Sequence, residues 1–188
     1  MGSVLDFLGD ASTQWVWGAA QSLAIVVGFY FVIRQISLAR HQNSISHMIY
    51  FRELWQSPAI LRARRDFAIT PVEPTGVFLP HEDVLATFAN DLGIAVRTKQ
   101  VDAEHIGRYF GYYIEGYWIV LAPQILKYRE VNNSPSVYSS FEHLYRIVAD
   151  ADARRGLPSL SASGAERFRS EEKLHAEYHM ESRSGTFD

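Results

Sequence analysis

Residues 15–33, WVWGAAQSLAIVVGFYFVI, hold no charged side chain. As a helix these 19 positions reach roughly 28 Å, about the thickness of a bilayer's hydrocarbon core. Trp15 and Trp17 stand at one end, Phe29, Tyr30 and Phe31 at the other, and Arg34 and Arg40 follow at once. Aromatic rings and arginines at the ends of an apolar run are the interfacial anchors of a transmembrane helix. The reading is therefore a single-pass anchor in contact with the lipid bilayer, with Arg34 and Arg40 facing the lipid head groups.

A cleavable signal peptide needs a positive segment ahead of its apolar stretch. Residues 1–14 carry no Lys or Arg and two acids, Asp6 and Asp10. A buried helix of a soluble protein would show a polar stripe over this length. Charge also predicts orientation. Residues 34–65 contain six arginines against one acid, Glu53, and the positive-inside rule puts such a segment in the cytoplasm and the N-terminus outside. The expected topology places residues 1–14 outside, 15–33 across the membrane, and the rest in the cytoplasm.

Within the span Ala20, Ala24 and Gly28 recur at every fourth residue, so they share one helix face where a second membrane helix can approach closely. Gly18 and Ser22 repeat the spacing beside it. A protein partner, or a second copy of the chain, is the expected occupant.

The remainder reads as helical. Residues 34–56 extend the helix with Ile45, Met48, Ile49 and Trp55 as an apolar face, although the polar run 40–47 leaves a break open. Ser57-Pro58 is an N-cap followed by proline at the first helical position. The three prolines and the glycine of 70–80 make a loop. Val84, Leu85, Phe88, Leu92 and Ala95 lie on one face of a helix from about Glu82 to Lys99. Asp102 caps the next, IGRYFGYYIEGYWIVLAP, apolar almost all round and therefore central, with Pro123 expected to kink or end it. Ser134-Pro135 repeats the cap signal for a helix bearing Val137, Phe141, Leu144 and Val148, which stops at Gly156-Leu157-Pro158. Ser163 to Glu166 forms a capping box opening a charged terminal helix. The fold class is all-α: one transmembrane helix (15–33), a juxtamembrane helix (34–56), a helical domain (57–156), and a linker with a charged tail helix (157–188).

The segments FRELWQSPAILRARRDF (51–67), DLGIAVRTKQVDAEHIGRYFGYYIEGYWIVLAPQILKYRE (91–130) and YSSFEHLYRIV (138–148) resemble the bacterial family called domain of unknown function forty-seven-sixty. The resemblance implies a membrane helix joined to a short helical domain, and it covers roughly residues 15–150. An Arg-rich helix matches Arg62 to Arg65, a central tryptophan matches Trp118, and a phenylalanine-glutamate pair matches Phe141-Glu142. It brings no reaction and no catalytic residues.

Chemistry is sparse. The absence of cysteine excludes disulfides, thiolate metal sites and thiol nucleophiles. A net charge of -3 argues against nucleic acid as the main partner. No phosphate loop, dinucleotide fingerprint or nucleophile elbow is present. Glu171, His175 and His179 share a helix face, and a His-x-x-x-His pair can bind a divalent metal, but no third ligand is identifiable, and a solvated tail is the simpler reading. Glu115, flanked by Ile114, Gly116, Tyr117 and Trp118, should be buried and so either paired with an arginine or shifted in pKa. Gly107, Gly111 and Gly116 permit close packing along that helix, and Arg62, Arg64 and Arg65 beside Asp66 form a tetrad able to meet an acidic patch or a nucleotide. The reading is non-enzymatic, with no catalytic, cofactor or metal site assigned: an accessory subunit or scaffold working through helix contacts in the membrane and a docking domain. Its alternative is a tethered enzyme or sensor using Glu115 with an arginine, or a metal at His175 and His179.

Overall fold

The computed structural model describes the backbone of residues 14–157, 160 and 162–184, and within these the side chains of 17–35, 44–157, 160 and 164–175. The described residues form six helices and no strand: α1 (Gln14–Trp55), α2 (Pro58–Ile69), α3 (Pro80–Arg97), α4 (Ala103–Val131), α5 (Ser139–Arg154) and α6 (Ala162–Ser184). The fold class is all-α, with one helix long and apolar enough to cross a membrane.

Two compact units divide the chain, Met1–Asn43 and Ser44–Asp188. In the first, Trp17–Gln35 is helical and none of it is buried. Ser22 Oγ donates to Gly18 O at 2.8 Å, which satisfies the hydroxyl within its own helix. The backbone of α1 stays helical through 40–47, where the polar run had left a break open.

The second unit is wider than residues 57–156 at both ends. At its start Met48, Phe51 and Trp55 are buried, while Ile45 and Ile49 are exposed. The buried face therefore follows i, i+3 and i+7 from Met48 rather than the stripe that begins at Ile45. Trp55 sits among rings from α3 and α4, with centroid distances of 5.0 Å to Phe88 and 4.8 Å to Tyr113. Ser57 caps α2 as expected, its Oγ accepting from Ile60 N at 3.4 Å.

Helix α4 runs unbroken through Pro123. The next residue, Gln124, fully buried, accepts from Gly76 N at 3.2 Å and donates to Val77 O, tying the 70–79 loop to α4. Trp118 packs edge-on against Phe141 at 5.1 Å and stacks on Tyr145 of α5. Helices α3 and α5 approach tightly at Gly93, where a Cβ would stand 2.1 Å from Ser140 O.

The cap expected at Ser134-Pro135 is not where α5 begins. Ser134 N donates to Arg129 O, and Arg129 Nε donates to Val137 O at 2.8 Å, so the segment closes as a turn on the end of α4. Tyr138, in left-handed backbone at φ 54°, ends that turn, and the helix starts at Ser139.

Helix α6 is not a solvated tail. It packs on α2 and α4, with Phe168 wholly buried and Glu172 1% exposed.

Candidate functional site

The most elaborate polar arrangement of the second unit lies where α6 meets α2 and α4. Arg64 projects inward from α2 because its helix face also carries Ile60, Ala63 and Phe67, all buried. Its Nε and Nη2 donate to the two carboxylate oxygens of Glu172, both at 2.8 Å, a two-pronged ion pair with side-chain exposures of 3% and 1%. Tyr117 of α4 donates its hydroxyl to the same carboxylate. The guanidinium lies 4.2 Å from the Trp55 ring centroid and 5.1 Å from that of Tyr113. A planar cation suits such stacking because it presents a weakly hydrated face to the ring while donating from its edge.

Burial opposes the Arg64 charge, yet the hydrogen bonds to Glu172, the Glu172 charge and the neighbouring Tyr117 and Tyr113 phenols together outweigh it and hold the guanidinium above its ordinary pKa. Burial, reinforced by the Glu172 charge, pushes the Tyr117 phenol well up. Both groups stay protonated across any physiological range, so the cluster is a fixed ionic joint. One turn away Phe168 fills a notch that exists only because residue 116 is glycine: a Cβ there would stand 2.4 Å from the ring. Arg169 donates to Phe67 O at 3.2 Å and to Thr70 O, satisfying carbonyls at the C-terminal end of α2.

Arg64 is therefore unavailable to lipid, a nucleotide or an external acidic patch. Arg62 and Arg65 are exposed, and Arg62 Nε donates to Pro58 O at 3.2 Å on its own helix. The sequence marked Arg64 as one of a basic cluster and missed Glu172, whose only signal was its position four residues after Phe168 in an otherwise charged helix.

Glu115 is buried, 4% exposed, as its flanks implied. The expected arginine is absent: among the described residues Glu115 forms no ion pair, and its Oε1 has no hydrogen-bond partner. Burial raises its pKa, the backbone hydrogen bond from Leu160 lowers it, and the Asp152 charge raises it again. Three arginines of this unit are committed to other acids: Arg64 to Glu172, Arg129 to Glu142 at 2.7 Å, and Arg155 to Asp152 at 3.4 Å. Near Asp152 a cleft of about 450 Å³ opens between the start of α4 and the end of α5, lined by Glu104, Gly107, Val148, Asp152 and Arg155 among others.

Of the candidate metal ligands, His175 is exposed, and the side chain of His179 lies outside the described residues. Glu171 instead accepts from the Tyr112 hydroxyl and from Arg167 Nε at 2.7 Å.

On the apolar helix, Ala20, Ala24 and Gly28 are all exposed, and a Cβ at Gly28 would meet nothing within 4 Å. Arg34 is exposed, whereas the side chain of Arg40 lies outside the described residues. No protein-family model, curated protein or solved structure matches the chain.

Proposed function

We propose that this chain is a single-pass protein of a bacterial inner membrane, N-terminus outside, whose helical unit acts on the cytoplasmic side as an accessory subunit or scaffold. One observation carries the reading: the 19 residues Trp17–Gln35 form a helix that is apolar and nowhere buried. Left in water, that surface would be a contiguous apolar patch far beyond what soluble monomers expose. In a bilayer the same surface is satisfied, and every backbone polar group is bonded within the helix.

The six arginines of residues 34–65 support the orientation. The small residues Ala20, Ala24 and Gly28 support a helix partner in the membrane, whether another protein or a second copy. The non-enzymatic reading draws on the character of the buried polar groups. Arg64, Glu172 and Tyr117 saturate one another, which describes a joint rather than a reacting centre. The likeness to the domain of unknown function forty-seven-sixty family belongs to the same proposal.

The test uses the absence of native cysteine. Single Ser3→Cys and Ser136→Cys variants, expressed in bacteria, are treated with a membrane-impermeant maleimide before and after lysis. Residue 3 should react in intact cells and residue 136 only after lysis, with the chain resisting alkaline extraction and keeping its full mass. Equal labelling of both sites, release into the soluble fraction, or loss of the N-terminal residues would overturn the reading. Purification in mild detergent should then recover an oligomer or a stoichiometric partner; a strictly monomeric, partner-free protein would count against the scaffold role.

A further inference from the structure

We infer that Ile45 and Ile49, on an exposed face of α1 within the second unit, dock on the same face of a second copy of this chain in a parallel two-helix seam. The inference deepens the proposed function by naming the partner, and it rests on that reading for holding both copies in one membrane with the same orientation.

The last turns of α1 carry two apolar faces. One of them, Met48, Phe51 and Trp55, belongs to the core of the second unit. The other is left over: Ile45 and Ile49, one turn apart, are each 51% exposed. Arg52 follows on that face and lies over the exposed ring of Tyr109, its guanidinium 5.7 Å from the centroid. An amphipathic helix that served only its own unit would need the first face alone and would carry polar residues on the second.

Spacing says what covers the leftover pair. Counting back from Ile49 in steps of four and three meets Ile45, Gln42, Leu38, Gln35 and Phe31, and the same register continues into Gly28 and Ala24. This is the alternation of a heptad repeat, with Gln35, Gln42 and Ile49 at a and Phe31, Leu38 and Ile45 at d, and the backbone of α1 is helical throughout. Leu38 and Gln42 have side chains outside the described residues; the other members of the set are all exposed, so the chain itself leaves them uncovered. A lipid surface would require neither the four-three alternation nor glutamines within it. A facing copy accounts for both. The alternation keeps one narrow seam turned toward the partner, and an amide, which donates and accepts, pairs with its own counterpart across a two-fold axis and fixes the register. Anchoring both copies in one membrane raises their effective concentration.

Two readouts on the full-length chain test the seam. The first exploits the lack of native cysteine. Four single variants, Ile45→Cys, His47→Cys, Ile49→Cys and Tyr50→Cys, are oxidised with copper phenanthroline in the membranes of the cells that express them. Disulfide-linked dimers at 45 and 49 should exceed those at 47 and 50, which the register turns away from the seam, by roughly tenfold. Equal yields at all four positions, or none at 45 and 49, overturn the inference, and the second result covers a face that lies in lipid or against a different protein. In the second readout, Ile45→Glu and Ile49→Glu are combined. Both side chains are exposed, so circular dichroism should match the parent, while light scattering in mild detergent should show a dimer dissociation constant raised roughly tenfold or more. A folded double variant as dimeric as the parent places the pairing elsewhere and also overturns the seam. Fractionation of the oxidised samples keeps the two ideas apart: membrane-bound chains without the 45 and 49 disulfides leave the anchor standing, while chains linked at 45 and 49 in the soluble fraction sink the anchor and leave the seam.

Discussion

Glu115 holds a carboxyl group in a space that suits its neutral form, with one oxygen lacking a partner and Asp152 adding a like charge nearby. Its folded pKa therefore lies above the ordinary value of 4.5. The folded chain then binds this proton more tightly than the unfolded chain. Stability from this group is complete below the unfolded pKa and is lost as pH rises through the folded one. Replacing it with glutamine keeps the shape and an acceptor for the Leu160 amide while removing the charge. Glu115→Gln should match the parent in acid and exceed it at neutral pH, checked by denaturant midpoints measured across that interval. A parent and variant that run parallel at all pH values would show Glu115 to be solvated instead. Burial was legible from the flanking aromatic residues; the missing arginine was not, because pairing depends on which elements face α4.

Glycines make a second residue-scale contrast. Gly93→Ala sets a Cβ against the backbone oxygen of Ser140, and backbone cannot swing aside as a side chain can. The loss expected is about 3 kcal/mol, at the upper end for overpacking. Gly107→Ala, with nothing within 4 Å of the new atom, should instead stabilise α4 by about 1 kcal/mol through helix propensity. Thermal denaturation of the pair tests both signs at once. Gly93 was invisible in the sequence because close approach is a property of two helices, whereas the value of Gly116 could at least be suspected from the bulky residues around it.

At the scale of elements, the caps separate what sequence can and cannot decide. Ser57-Pro58 and Asp102 act locally, each bonding an amide two or three residues on, and the sequence placed both correctly. Ser134-Pro135 carries the same local signal but is overridden by Arg129, which reaches back from α4 to Val137 O and holds the turn closed. Helix α6 was legible as a helix and illegible as a packed one, since a pair of anchors is too thin a stripe to stand out. The structure makes its energetics testable. Phe168→Ala should cost about 3–5 kcal/mol, and Glu172→Gln, which strands the Arg64 charge, a similar amount. Replacing both partners by apolar residues of similar volume, Arg64→Met with Glu172→Leu, should recover most of that loss, because the desolvation penalty vanishes along with the attraction. Urea unfolding of the single and double variants decides it; a double variant as unstable as either single would mean that the ion pair itself, not its desolvation balance, holds α6.

At the scale of the whole molecule, the chain combines two solvents' worth of design. The first unit's apolar helix presents its surface outward along Trp17–Gln35, whereas the second unit gathers its apolar side chains around Trp55, Phe88, Phe110 and Tyr117. Sequence periodicity separated these regimes because an uncharged run and an amphipathic stripe differ at the level of composition. It set the boundary of the globular part too late, since Met48, Phe51 and Trp55 sit on the same continuous helix as the apolar span yet belong to the second core. The division at Asn43 and Ser44 leads to a concrete expectation. Among the described residues, a chain begun at Ser44 retains every buried hydrophobic side chain of the core, so it should be soluble without detergent, keep its helical circular dichroism, and unfold in one cooperative transition. A chain begun at residue 57, which removes Met48, Phe51 and Trp55, should lose the ring cluster against Phe88 and Tyr113 and unfold at far lower denaturant or fail to fold. If the shorter chain proved as stable as the longer one, the end of α1 would be a mere extension of the anchor. The packing of Trp55 between α3, α4 and the Arg64 guanidinium argues that it is instead the element on which the second unit closes.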